Sequence, residues 1–96
     1  MNLSRLYADR ICPACGFKLD FTPWEGNKIQ ERPCPSCGLF FGFDDIREDK
    51  REEVYLIARK RWIENGKRWW SKPPAPTDYN PDQQLANLAR LENEFG

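Results

Sequence analysis

The chain has 96 residues, with 15 Lys and Arg balanced by 15 Asp and Glu, and it contains no histidine. A chain this short buries a modest share of its unfolded surface and calls for a staple. Zero net charge gives no overall pull toward nucleic acid or an anionic membrane, and the missing histidine removes Ser-His and Cys-His nucleophile pairs along with imidazole metal ligands. Four tryptophans among 14% aromatic residues argue for a folded chain despite 31% charged residues. No N-terminal apolar run reaches signal-peptide length and no run approaches 18 apolar residues, so a soluble, cytoplasmic protein with no membrane partner is expected.

In chain order the first predicted unit is a zinc ribbon over residues 1–45. All four cysteines fall in two copies of one phrase, CPACGFKLDF from Cys12 and CPSCGLFFGF from Cys34. The C-x-x-C pairs, Cys12 with Cys15 and Cys34 with Cys37, stand 18 residues apart, a four-cysteine zinc spacing. Pro13 and Pro35 preset each turn, and Gly16 and Gly38 permit positive φ after it. Four thiolates close a tetrahedral site with no position for water or substrate, so one structural zinc is expected to hold the fold rather than to catalyse. Its binding energy, on the order of 10 kcal/mol, supplies the staple. Two disulfides do not suit a chain expected in the cytosol, and a thioredoxin-like redox pair needs a single C-x-x-C near a βαβ pattern. Iron stays open as the alternative ion, because four thiolates suit it as well as zinc and paired knuckles followed by aromatics also look like rubredoxin.

After each knuckle the residues alternate. Phe17, Leu19 and Phe21 have strand period, as do Leu39, Phe41 and Phe43, so the two tails are predicted to be neighbouring strands of a small antiparallel sheet. Residues 24–27 supply turn chemistry, and residues 28–32 return as a polar edge strand. The Asp45-x-x-Glu48 phrase has the form of a capping box, with Asp49-x-x-Glu52 a second start, and predicts a central helix over 45–65 that stops at Asn65-Gly66. Its stripe of Val54, Tyr55, Ala58 and Trp62 and a separate side with Leu56 and Ile63 are both expected to be covered, one packing on the ribbon and the other receiving the C-terminal segment, with Arg59, Lys60 and Arg61 on the surface between. Residues 66–80, rich in Trp and Pro, are predicted to be extended. Asn80-Pro81 opens a last helix over 81–95 with a stripe of Leu85, Leu88, Leu91 and Phe95 that docks back on the domain. The fold class is thus a small α+β domain, a zinc ribbon packed with two α-helices.

Positive charge concentrates in residues 46–72, which hold nine Lys or Arg against five Asp or Glu. Within them ARKRWIENGKRWWSK interleaves basic residues with three tryptophans. In an extended segment Trp69 and Trp70 point to opposite faces, so one can be core and its neighbour surface. Trp69, Trp70, Arg68 and Arg61 are therefore the candidate partner-binding residues, since Trp and Arg dominate well-packed interfaces. The same composition also suits phosphate contacts and base stacking. Paired acids such as Asp44-Asp45 and Glu52-Glu53 have the ordinary role of helix starts or solvated charge, so no enzyme is expected.

The order of phrases, CPACG, CPSCG, FGFDD at 41–45, RWIENGKRWWS at 61–71 and NPDQQLANL at 80–88, resembles a group of small bacterial zinc-ribbon proteins, largely of unknown function. The resemblance implies metal ligation by Cys12, Cys15, Cys34 and Cys37. It also implies that the tryptophan segment and the last helix belong to one domain. Similar cysteine-rich proteins are encoded near secreted bacterial toxins, which makes an immunity protein that occludes its toxin's active site the sharpest form of the expectation. The function expected is a non-enzymatic, zinc-stabilised module that binds a protein partner. The alternative is a nucleic-acid-binding zinc ribbon, and a rubredoxin-like iron electron carrier stands behind it.

Overall fold

The computed structural model describes residues 2–95, the side chain of Phe95 excepted. It is a small α+β fold of three helices and one two-stranded antiparallel hairpin. α1 spans Leu3–Ala8, β1 Trp24–Glu25 and β2 Lys28–Ile29; a 3-10 turn at Glu48–Lys50 leads into α2, Arg51–Glu64, and α3 spans Pro81–Phe95.

α1 was not legible in the expected ribbon. The Asn2 side chain caps it by accepting from the Arg5 amide, and Leu6 and Tyr7 are its buried residues. The chain leaves through Arg10 at φ 60 and runs directly into the first knuckle.

From there the backbone repeats itself with the offset of the sequence phrase. The Cys12 amide donates to Phe17 O and the Gly16 amide to Cys12 O; the Cys34 amide donates to Leu39 O and the Gly38 amide to Cys34 O. Ile11 bridges Lys18 as Pro33 bridges Phe40, and the Leu19 amide reaches Arg10 O as the Phe41 amide reaches Arg32 O. Each aromatic tail therefore folds back on the residues that precede its own knuckle. The predicted sheet between the two tails does not form. The tails meet only through side chains, Phe21 and Phe41 in an edge contact at 5.9 Å.

The hairpin is shorter than expected and begins earlier: Trp24 pairs Ile29 and Glu25 pairs Lys28 around Gly26-Asn27, with Gly26 at φ 60. Two of the four residues assigned to the turn are thus strand. Phe43 also departs from the predicted face and is 76% exposed. The cause is a turn at 41–45, where the Asp44 carboxylate accepts from the Phe40 amide and the Asp45 carboxylate accepts from the Gly42 amide, breaking the alternation.

Asp45 is not a helix cap. Its carboxylate is fully buried and accepts from Trp24 Nε1 at 2.9 Å, from Tyr55 Oη at 2.6 Å and from the Gly42 amide at 2.6 Å. Tyr55 spends its one proton there, so Tyr7 Oη donates to Tyr55 Oη at 2.5 Å. Arg51 donates to the Asp45 carbonyl and lays its guanidinium over the Trp24 ring at 3.8 Å. This polar chain ties α1, β1 and α2 together; because its acceptor is turned inward, α2 starts at Arg51 rather than at 45.

Tyr55 and Trp62 on the predicted stripe are buried, with Val54 and Ala58 packed against the core. Leu56 and Ile63, expected to be covered, are 47% and 42% exposed. α2 ends as anticipated: the Gly66 amide donates to Ile63 O and the Lys67 amide to Trp62 O, a Schellman motif with Gly66 at φ 91. Residues 66–80 contain no helix or strand. Asn80 caps α3 through its side chain, which accepts from the Gln83 amide, and Pro81 follows at the first helical position. Leu88 is buried and Leu85 and Leu91 are half-buried; the role assigned to the Phe95 side chain lies outside the described residues.

Candidate metal centre and the adjoining cleft

The two knuckles face each other and bring Cys12, Cys15, Cys34 and Cys37 together, with all four sulfurs within 4.8 Å of one another. The close pairs, Cys12 to Cys37 at 3.8 Å and Cys15 to Cys34 at 3.7 Å, run across the knuckles. A disulfide needs about 2.05 Å. An ion with four sulfurs at about 2.3 Å gives a tetrahedron with edges of about 3.8 Å, so the cluster has the dimensions of a four-thiolate metal site. The donor set suits zinc and iron equally.

The thiols themselves fit a cation. Burial opposes ionisation of Cys12, yet hydrogen bonds from the other three cysteines hold its thiol well below the usual range. Burial and then the neighbouring sulfurs push Cys34 well above it, while for Cys37 the sulfurs of Cys12 and Cys15 do so before burial. A cation stabilises all four thiolates, so its binding releases protons.

Gly16 and Gly38 sit at φ 82 and 84, and both also make room for a neighbour. A Cβ on Gly16 would stand 2.4 Å from the Gln84 carbonyl of α3; one on Gly38 would stand 2.6 Å from the Trp70 indole. The covers of the two knuckles thus differ. Over the first, Arg59 donates to Pro13 O and Ala14 O at 2.8 Å and pairs with Glu92 at 3.0 Å, while Gln84 Nε2 donates to Cys15 O. Arg59, expected on the surface, is consequently half-buried. Over the second, the Trp70 and Ser71 amides donate to Pro35 O, and Tyr79 Oη lies 3.1 Å from Ser36 Oγ while donating to Lys67 O. Arg59, Gln84, Ser36 and Tyr79 carried no signal in periodicity or spacing. Each acts on a residue far away in the chain.

Cys12, Cys15 and Cys34 are fully buried, whereas Cys37 is partly open and lines a cleft of about 900 Å³. Leu39, Trp62 and Trp70 give this cleft its apolar walls, Arg61 and Arg68 its positive charge, and Asp44 and Glu64 its negative charge. All four residues predicted to bind a partner line it. They do not stand alike. Trp69 is half-buried between Phe17 and Tyr79, in edge contacts at 5.3 and 5.1 Å, and its Nε1 donates to Pro73 O. Trp70 is 56% exposed. Trp69 is the anchor of the segment and Trp70 is the surface residue.

Compared with known proteins, the chain matches no family model, no curated protein and no solved structure. No helix among the described residues is long and apolar enough to cross a membrane.

Proposed function

We propose that the chain is a non-enzymatic, zinc-stabilised module that binds a protein partner through the face around its second knuckle. The observation that carries this reading is the fixed presentation of Trp70, an exposed indole held against Gly38 while its amide is tied to Pro35 O and Ser36 O. An aromatic ordered before binding loses little freedom on association, and Trp beside Arg is the composition of interface hot spots. The metal site favours a structural role, since four thiolates leave no coordination position for a substrate. Zinc is the ion proposed, with iron the alternative; a colourless protein supports zinc, and the red of a ferric thiolate site opposes it.

The narrower form, a toxin-neutralising immunity protein that covers its partner's active site, rests on the resemblance of the sequence phrases alone. It predicts that the captured partner is a secreted enzyme and that binding abolishes its activity. A nucleic-acid ligand is less well supported. Trp69 is half-buried and held between Phe17 and Tyr79, leaving one exposed indole where strand binders use successive stacking platforms, and Asp44 and Glu64 line the same cleft as the arginines.

Affinity capture from nuclease-treated extract of the native host tests the reading. The wild-type chain retains a protein and Trp70→Ala loses it. Nucleic acid as the sole ligand before nuclease treatment, with no protein retained after it, would contradict the proposal.

A further inference from the structure

Most cations of residues 46–72 are already engaged. Arg47 pairs with Asp49, Lys50 with Glu53, Arg59 with Glu92 and Lys67 with Asp82, while Arg51 is held by the Asp45 carbonyl and the Trp24 ring. The side chains of Lys60, Arg61, Arg68 and Lys72 have no hydrogen bond or ion pair among the described residues, and all four are exposed; of these, Arg61 and Arg68 line the cleft. Exposure alternates along the segment: Lys67, Trp69 and Ser71 are half-buried, and Arg68, Trp70 and Lys72 are exposed. Arg68 is thus an exposed, free cation two residues before the exposed indole, and the chain then bends at 71–73. The cleft that Trp70 borders, at about 900 Å³, lies within the range of ligand pockets.

We infer that this cleft takes an acidic peptide segment of the partner, its carboxylates on Arg61 and Arg68 and a neutral apolar side chain against Trp70, Trp62 and Leu39. The inference rests on the protein-binding reading above and gives that partner its chemistry. Charge complementarity selects the occupant. Arginine forks donate to carboxylates in bidentate geometry, and the free cations have no partner to lose on binding. Asp44 and Glu64 then decide between acidic ligands. A phosphodiester strand carries charge at every nucleotide and would set some of it against these two acids. A peptide places its carboxylates on the cations and an uncharged side chain in the cleft.

The test uses the full metal-loaded chain and a fluorescein-labelled peptide in which Asp and Glu flank one Phe. Its controls are the same peptide with Asn and Gln in place of the acids, and an oligothymidylate of equal charge. The acidic peptide raises anisotropy at low salt, the neutral control does not, and the combined variant Arg61→Gln, Arg68→Gln binds about tenfold more weakly. Metal content and circular dichroism of that variant stay unchanged, because neither side chain holds the fold. Equal binding by wild type and variant, absence of acidic-peptide binding, or tighter binding of the oligothymidylate overturns the inference. So does self-association that the same variant abolishes, since the face would then be filled by a second copy. A captured protein that survives the charge variant but is lost with Trp70→Ala would overturn the acidic segment while leaving the protein-binding reading standing.

Discussion

The two knuckles share a phrase, a turn geometry and a hydrogen-bond pattern, and they differ in what lies on them. The first is sealed by helix: Arg59 from α2 on its carbonyls, and α3 so close to Gly16 that a methyl group would collide with backbone. The second is covered by the extended segment, with an indole over Gly38 and an open cleft beside Cys37. Identical local chemistry thus closes a metal site from both sides, while the nonlocal cover assigns one side to structure and leaves the other to present a surface. A short repeated motif tells where an ion could be held; the packing on each copy tells which side stays open.

The largest effect tests what the knuckles share. Chelation of the ion, or Cys12→Ser, removes a contribution on the order of 10 kcal/mol and unfolds residues 10–45, with loss of dispersed amide signals by NMR. Retention of a folded ribbon without metal would mean the tails and hairpin suffice.

Asp45→Ala comes next, because it strands Trp24 Nε1, Tyr55 Oη and the Gly42 amide in the core. A cost of about 4 kcal/mol is expected in denaturant unfolding. Asp45 follows the second tail and Tyr7 precedes the first knuckle, so this polar chain joins the two halves independently of the ion. The loss should therefore appear at saturating metal.

Gly16→Ala against Gly38→Ala breaks the comparison directly. Both pay for a positive φ, but at Gly16 the methyl meets the α3 backbone, and at Gly38 it meets a side chain that can swing into solvent. Gly16→Ala should cost about 3 kcal/mol and Gly38→Ala about 1–2 kcal/mol. Only the second should red-shift tryptophan emission, as Trp70 leaves its seat. Equal costs would deny the difference in cover.

The smallest effect concerns alkaline pH. Burial pushes the Tyr7 phenol up from 10.0 to about 12, with the Asp45 charge adding to it. Below pH 10 the phenol is protonated in both folded and unfolded chains and its contribution is complete. As pH rises from 10 to about 12 the unfolded chain ionises first, and roughly 2–3 kcal/mol is lost across that window. Tyr7→Phe should flatten this part of the stability profile in denaturant titrations.

What was legible in the sequence was local chemistry with one dominant solution. C-x-x-C-G sets a knuckle, Asn65-Gly66 a helix stop and Asn80-Pro81 a helix start, and each stands where its chemistry puts it. The errors share another cause. Asp45-x-x-Glu48 reads as a cap because capping boxes are local, whereas the donors that claim Asp45 come from β1 and α2. Period-two tails read as paired strands, but alternation does not reveal the partner, and each tail pairs with the residues before its own knuckle. The cysteine cluster was therefore visible from spacing, while the distinction between Trp69 and Trp70 awaited the contacts of Trp69 with Phe17, Tyr79 and Pro73.

Hydrogen–deuterium exchange on the metal-loaded protein, free and with its captured partner, tests most directly that one knuckle is frame and the other is face. Binding should protect the amides of residues 37–39 and 68–72 and leave those of 12–16 and 84–88 unchanged. Protection centred on the first knuckle and α3, with none around Trp70, would contradict the account.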